Sequence, residues 1–244
     1  MIPLKRPEAP ERLKKLLSGK TQALVNGVAD AATARAAWKS SRVIRRDVKA
    51  LLSPMASGFS RCMYCGDSQG TDIDHFKPIA KDPLSAFVWV NHLLACSHCN
   101  SNEKRDEYPC DSSGECLLVN PSAEDPWNHL VLTLTTGKYT GVTLKGRVTI
   151  QVFGLGRPDL ERGRAMAYVR CKSMLRDWAA QTEAGRDEDA RMIVESLTVH
   201  PFADVLYAMV RRAQTPGAVD VFGNDIMFAL RNIESATFGG AQMT

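Results

Sequence analysis

Cys62-Met-Tyr-Cys65 and Cys96-Ser-His-Cys99 form two C-x-x-C pairs separated by 30 residues, a spacing at which four thiolates can close a tetrahedral Zn²⁺ site. A closed four-sulfur site has no open coordination position, so this zinc stabilises rather than reacts. Any chemistry must come from the polar residues around it. These are Thr71-Asp72-Ile73-Asp74-His75-Phe76-Lys77-Pro78, Trp89-Val90-Asn91-His92-Leu93-Leu94-Ala95 before Cys96, and Asn100 and Lys104 after Cys99.

An Asp-His pair after a strand, an Asn-x-Leu step before the second C-x-x-C, and Cys-Asn followed by Lys make this block resemble the HNH endonucleases, the ββα-metal nuclease family. The resemblance implies a hairpin and one helix held by zinc. It makes His75 the general base, since a neutral imidazole can take a proton from water attacking a phosphodiester. It makes Asp74 and Asn100 the oxygen ligands of a catalytic Mg²⁺ or Mn²⁺. Asn91 would hold the loop and orient the His75 ring, and Lys104, four residues after Asn100, would contact a phosphate. The family often has Glu-His where this chain has Asp74-His75; the carboxylate is kept. On a regular strand Asp74 and His75 point to opposite faces, so the strand must end or twist there, in agreement with Pro78.

The elements around the block read as an α+β chain: a zinc-stapled ββα-metal module with an N-terminal helical arm, a short antiparallel sheet and a helical C-terminal part. The expected divisions are a basic arm at 1–60, the nuclease module at 61–109, a β-hairpin region at 110–156 and helices over 157–244. Val43, Ile44, Val48, Leu51 and Leu52 recur at helical spacing, with Arg42, Arg45, Arg46 and Lys49 on or near the outer side as candidate nucleic-acid contacts. The alternation of Leu130, Leu132 and Leu134, then Val148, Ile150 and Val152, predicts two or three antiparallel strands. Helices are expected from Asp159 to about Thr182, from Asp187 to Val199, from Pro201 in its first turn, and near Asn224 to Ser235.

Other residues invite plainer readings. Asp72 is expected to be a solvated strand carboxylate, and His92 and His98 surface groups. His129 and His200 read as structural, and Cys110 and Cys116 as free thiols. Trp89 and Phe87 should pack the module against its neighbours. Arg162, Arg164 and Arg170 could form a solvated face or a backbone contact.

At 244 residues the chain can bury a full core without disulfides, and seven cysteines, four of them in C-x-x-C pairs, suit a metal knuckle in a reducing compartment. No stretch offers the ~18 predominantly apolar, uncharged residues of a spanning helix, so a soluble, cytoplasmic protein is expected, with no membrane partner. The net charge of +4 conceals an asymmetry. Residues 1–61 carry 13 Lys+Arg against 4 Asp+Glu, whereas 62–109 carry 4 against 7 and 110–244 carry 14 against 16. A cationic arm before an acidic cluster suits a polyphosphate, here double-stranded DNA held by its backbone.

The wider order of motifs, including a following Tyr-Pro and Leu-Val-Asn-Pro-Ser-Ala-Glu-Asp-Pro, resembles the nuclease subunits of Septu antiphage defence systems and their retron-associated relatives. That likeness implies an ABC- or SMC-like ATPase partner that restrains or aims the nuclease, with the C-terminal helices as a docking surface. Two alternatives stand beside it: a non-catalytic zinc-knuckle module binding nucleic acid or protein, and a stand-alone restriction or mobile-element HNH nuclease.

Overall fold

The computed structural model describes residues 1–27 and 29–237. The arm is three helices, α1 (Glu11–Asn26), α2 (Ala31–Ser40) and α3 (Arg42–Leu52). Asp30 caps α2 by accepting a hydrogen bond from Thr33 N. Helix α3 buries Ile44, Val48 and Leu52, one stripe at four-residue spacing, and leaves Arg42, Arg45, Arg46 and Lys49 exposed.

The cysteine block contains a two-stranded antiparallel sheet, β1 (Asp72–His75) with β2 (His92–Ala95), in the register Asp74 opposite Leu93 and His75 opposite His92. It ends in a seven-residue π-helix, His98–Lys104, a form that recurs at functional sites. The strand does stop at His75.

A second hairpin, β3 (Leu130–Thr133) with β4 (Lys138–Gly141), lies beyond the block. Its turn residue Gly137 has φ +68, and a Cβ there would meet Glu161 O at 1.9 Å, so only glycine lets the turn seat on the later helix Pro158–Glu183. The expected third strand is instead helix α4 (Leu144–Val152). Thr143 caps it through Gly146 N, and Val148, Ile150 and Val152 are all half-buried against the core, which gives a strand-like alternation on a helix packed on two sides.

The C-terminal helices are α5 (Pro158–Glu183), α6 (Asp187–Val199), α7 (Ala203–Ala213), α8 (Ala218–Phe222) and α9 (Asn224–Thr237). Helix α5 packs along α6, α7 and α9. Pro201 does not open α7. Phe202, in a left-handed conformation (φ 66), comes first; its N–H donates to Gly66 O and its ring lies where a Cβ on Gly163 would be. Docking of that ring decides where the helix starts. Arg164 is fully buried, donating to Gly137 O and Leu155 O at 3.0 Å each and lying 3.4 Å from Asp204, so it is a core residue rather than a solvated or backbone-binding one. Among the described residues no single helix is long and apolar enough to cross a membrane.

Candidate active site

The four sulfurs of Cys62, Cys65, Cys96 and Cys99 lie within 4.8 Å of one another, all buried. Zn–S bonds of about 2.3 Å require sulfur–sulfur edges of about 3.8 Å, and Cys65 and Cys96 are already 4.0 Å apart. The donor set fits zinc. Arg157, just before α5, places Nη2 3.8 Å from Cys99 Sγ and Nη1 3.2 Å from Glu103. Its charge would offset part of the negative charge of four thiolates on one metal.

Tyr64, between the first two cysteines, is fully buried and stacks on Phe153 with ring centroids 3.9 Å apart. Its O–H donates to Asp74 Oδ2. Burial and the neighbouring Asp74 charge hold the phenol pKa well above its ordinary range, so it remains a donor.

Asp74 is 3% exposed. Its Oδ1 accepts from Lys104 Nζ at 3.0 Å, and Lys104 also donates to His75 O at 2.8 Å. Lys104 is fully buried, so in this structure its ammonium faces inward and not toward a phosphate. The ammonium is drawn to the buried carboxylate, which would otherwise be an uncompensated charge.

His75 lies on the other side of β1. Its Nε2 is 3.0 Å from Ala86 O, and Trp38 of α2 packs edge-on against its ring with centroids 4.7 Å apart. A carbonyl only accepts, so Nε2 carries the hydrogen and Nδ1 the lone pair. Burial pushes the His75 pKa below its ordinary value, against the opposing pull of the Ala86 bond and Asp74, and the ring is neutral near pH 7.

Asn91 is buried and stitches the intervening loop. Its Oδ1 accepts from Lys77 N at 2.7 Å, and its Nδ2 donates to Lys77 O and Ser85 O. It thereby holds the segment that presents the Ala86 carbonyl to His75. His92 differs from the expected surface group: it is fully buried, stacks on Trp38 at 4.8 Å and shares Ala86 O with His75 through its Nε2 at 3.1 Å. His98 is exposed as expected, paired with Glu103.

Asn100, on the π-helix, donates from Nδ2 to Asp72 Oδ2 at 3.3 Å. Asp72 is therefore partnered, not simply solvated, and it orients the amide so that Oδ1 is left as an acceptor. Asp74, His75 and Asn100 line one open pocket of about 300 Å³ with Arg35, Trp38, Arg105 and Asp106. The oxygen donors suit a hard divalent cation. Lys104 and Tyr64 occupy two of the roughly four lone-pair sites of the Asp74 carboxylate, and the others, with Asn100 Oδ1, are the oxygens that could hold such an ion.

The arm cations are spread over other tasks. Arg46 pairs with Asp47 at 2.8 Å and Lys49 donates to Thr71 O at 2.9 Å, while Arg45 reaches Lys39 O. Arg6 binds Trp89 O, His92 O and Ser122 Oγ and lies 4.9 Å over the Trp89 ring. Trp38, Arg6 and Arg157 went unnoticed in the sequence because they reach the site from elements far along the chain. Tyr64 did carry a signal, standing inside the first C-x-x-C.

Residues 62–106 match the sequence model of the HNH endonuclease family, described as HNH endonuclease. The Septu protein PtuB of Bacillus mycoides (strain KBAB4) is 29% identical over 153 residues, covering 48% of this chain and 50% of that protein. The protein ea31 of Escherichia phage lambda is 33% identical over 64 residues, 26% of this chain and 22% of that protein. The chain thus spans half or less of the length of these curated relatives. No solved structure matches. The thiol cluster, the hairpin and the Asn-bearing helix all fall inside the matched residues, so it is the segment 62–106 that is similar to the HNH endonucleases, while the wider chain is similar to the Septu protein PtuB over about half its length.

Proposed function

We propose that this protein hydrolyses phosphodiester bonds of double-stranded DNA in a divalent-cation-dependent reaction, as the effector nuclease of an antiphage defence system acting in the cytoplasm. The observation that carries the reading is the convergence of a neutral, Nε2-protonated His75 with the oxygens of Asp74 and Asn100 on one solvent-open pocket. His75 Nδ1 takes the proton of the attacking water, with Ala86 O holding the ring and Asn91 holding the loop behind it. Asp74 and Asn100 hold Mg²⁺ or Mn²⁺, with Lys104 and Tyr64 fixing the carboxylate. When bound, that cation supplies stabilisation of the charge that builds on the phosphate and the leaving 3′ oxygen. Zn²⁺ at the four cysteines keeps the module folded. The exposed Arg42, Arg45, Arg46 and Lys49 add sequence-neutral contacts to the DNA backbone.

The Septu likeness supports an ABC- or SMC-like ATPase as the partner that directs cutting. The test is a plasmid incubated with the chain, that ATPase and Mg²⁺. The parent should leave an EDTA-sensitive nick, and His75→Ala should leave none while zinc content and Tm stay at the parent's values. Normal nicking by His75→Ala would end this mechanism.

A further inference from the structure

The burial of Lys104 leaves the pocket without the phosphate contact expected from the sequence. Of the residues that line it, Arg35 and Arg105 are the cations, both exposed. We propose that these two arginines form the seat for the scissile phosphate, and that Asp106 occupies Arg35 until a phosphate replaces it. The inference deepens the nuclease reading and rests on it.

Arg35, on α2, donates from Nη2 to both carboxylate oxygens of Asp106, at 3.1 and 2.9 Å. The two side chains are 50% and 58% exposed, so the pair is solvent-screened and weak. A phosphate oxygen accepts from a guanidinium in the same way and can use its planar fork. Asp106 thus holds the Arg35 side chain at the pocket mouth, and exchange of carboxylate for phosphate keeps every donor satisfied.

Arg105 is marked by its backbone. It follows the π-helix at φ 49, ψ −123. Glu107 N donates to Lys104 O at 2.8 Å, which closes a four-residue turn over 104–107 with Arg105 at its second position. A turn with these angles at that position favours glycine, because a Cβ is strained at positive φ. An arginine is kept there at a cost in stability, in a residue that lines the pocket holding His75 and Asn100. Strain held at a pocket wall is the pattern of a side chain retained for what it binds. Arg105 Nε donates to Asn102 O at 3.1 Å, which fixes the root of the guanidinium.

The test uses the full chain in a His75→Ala background, which binds without cutting, and a fluorescein-labelled duplex titrated over a range of NaCl without added divalent cation. Arg35→Gln and Arg105→Gly should each lower the slope of log K against log salt by about 0.9, the loss of one phosphate contact. In the otherwise native chain each should cut nicking with the ATPase partner and Mg²⁺ at least about tenfold, the loss expected of one charge-assisted phosphate contact, with zinc content unchanged. Arg105→Gly should raise Tm at the same time, a combination that a structural role would not give. Asp106→Asn should tighten binding at low salt. Parent-like slopes and parent-like nicking in both arginine variants would overturn the proposal. If the parent itself never nicks, the nuclease reading fails, and the salt slopes still decide whether the arginines hold phosphate.

Discussion

Lys104 Nζ sits 3.0 Å from Asp74 Oδ1, and the two side chains are 0% and 4% exposed. A pair this deeply buried contributes little net stability compared with an apolar substitute, yet breaking it from one side strands a charge. Lys104→Ala should therefore destabilise the protein by about 3–5 kcal/mol, measured by urea unfolding. Lys104→Met combined with Asp74→Asn should recover much of that loss.

Asn91→Ala removes the acceptor for Lys77 N and the donor to two carbonyls. Leaving buried groups unpaired costs about 1–3 kcal/mol. The variant should retain its zinc, lose stability by that amount and lose nicking through a lower kcat, because the loop behind Ala86 no longer fixes the His75 ring. Zinc analysis, unfolding and a kinetic comparison check the three parts.

His92 has its pKa pushed down to about 3, first by burial and then by the neighbouring His75. The folded protein resists protonation of this ring where the unfolded chain, with its ordinary value near 6.5, accepts it. Stability is full above that value and falls as pH drops from about 6.5 toward about 3, by up to about 1.4 kcal/mol per pH unit. His92→Gln should remove this part of the slope. Unfolding free energies of parent and variant at pH 7, 6 and 5 give the difference; identical slopes would contradict the assignment.

One zinc per chain is expected, and Cys96→Ser should abolish stoichiometric binding. Metal binding at such sites is coupled to folding, with apparent free energies of about 10–16 kcal/mol in small zinc modules. Chelation should thus lower Tm by a large margin and expose the thiols of residues 62–99 to a reagent such as dithionitrobenzoate.

The parts of this molecule that could be read from the chain are those governed by short-range rules. The two C-x-x-C pairs, the 3.6-residue stripe of α3 and the limits Asp187–Val199 of α6 depend on neighbours within a turn or two. The early end of β1 was legible in Pro78, which cannot continue a paired strand, although Asp74 and His75 both remain inside β1 and project to its two sides. What escaped depended on contacts between distant segments. Thr143 started a helix where alternation suggested a strand, and the ring of Phe202 moved the start of α7 past Pro201. Charge on Lys104 and Arg164 suggested exposure, but buried carboxylates drew both side chains inward. His92 was hidden because the ring that covers it, Trp38, comes from a helix 54 positions earlier in the chain.

Tyr64 belongs to the first C-x-x-C by sequence and to Asp74 by its hydrogen bond. The four-thiol cluster and the carboxylate proposed to hold the catalytic cation are consequently joined by a single aromatic side chain. Oxidation or demetallation of the cysteines would free that ring and take with it one of the two restraints on Asp74. On the proposed mechanism, thiol damage alone would then stop cleavage, with every residue of the proposed reactive set chemically intact.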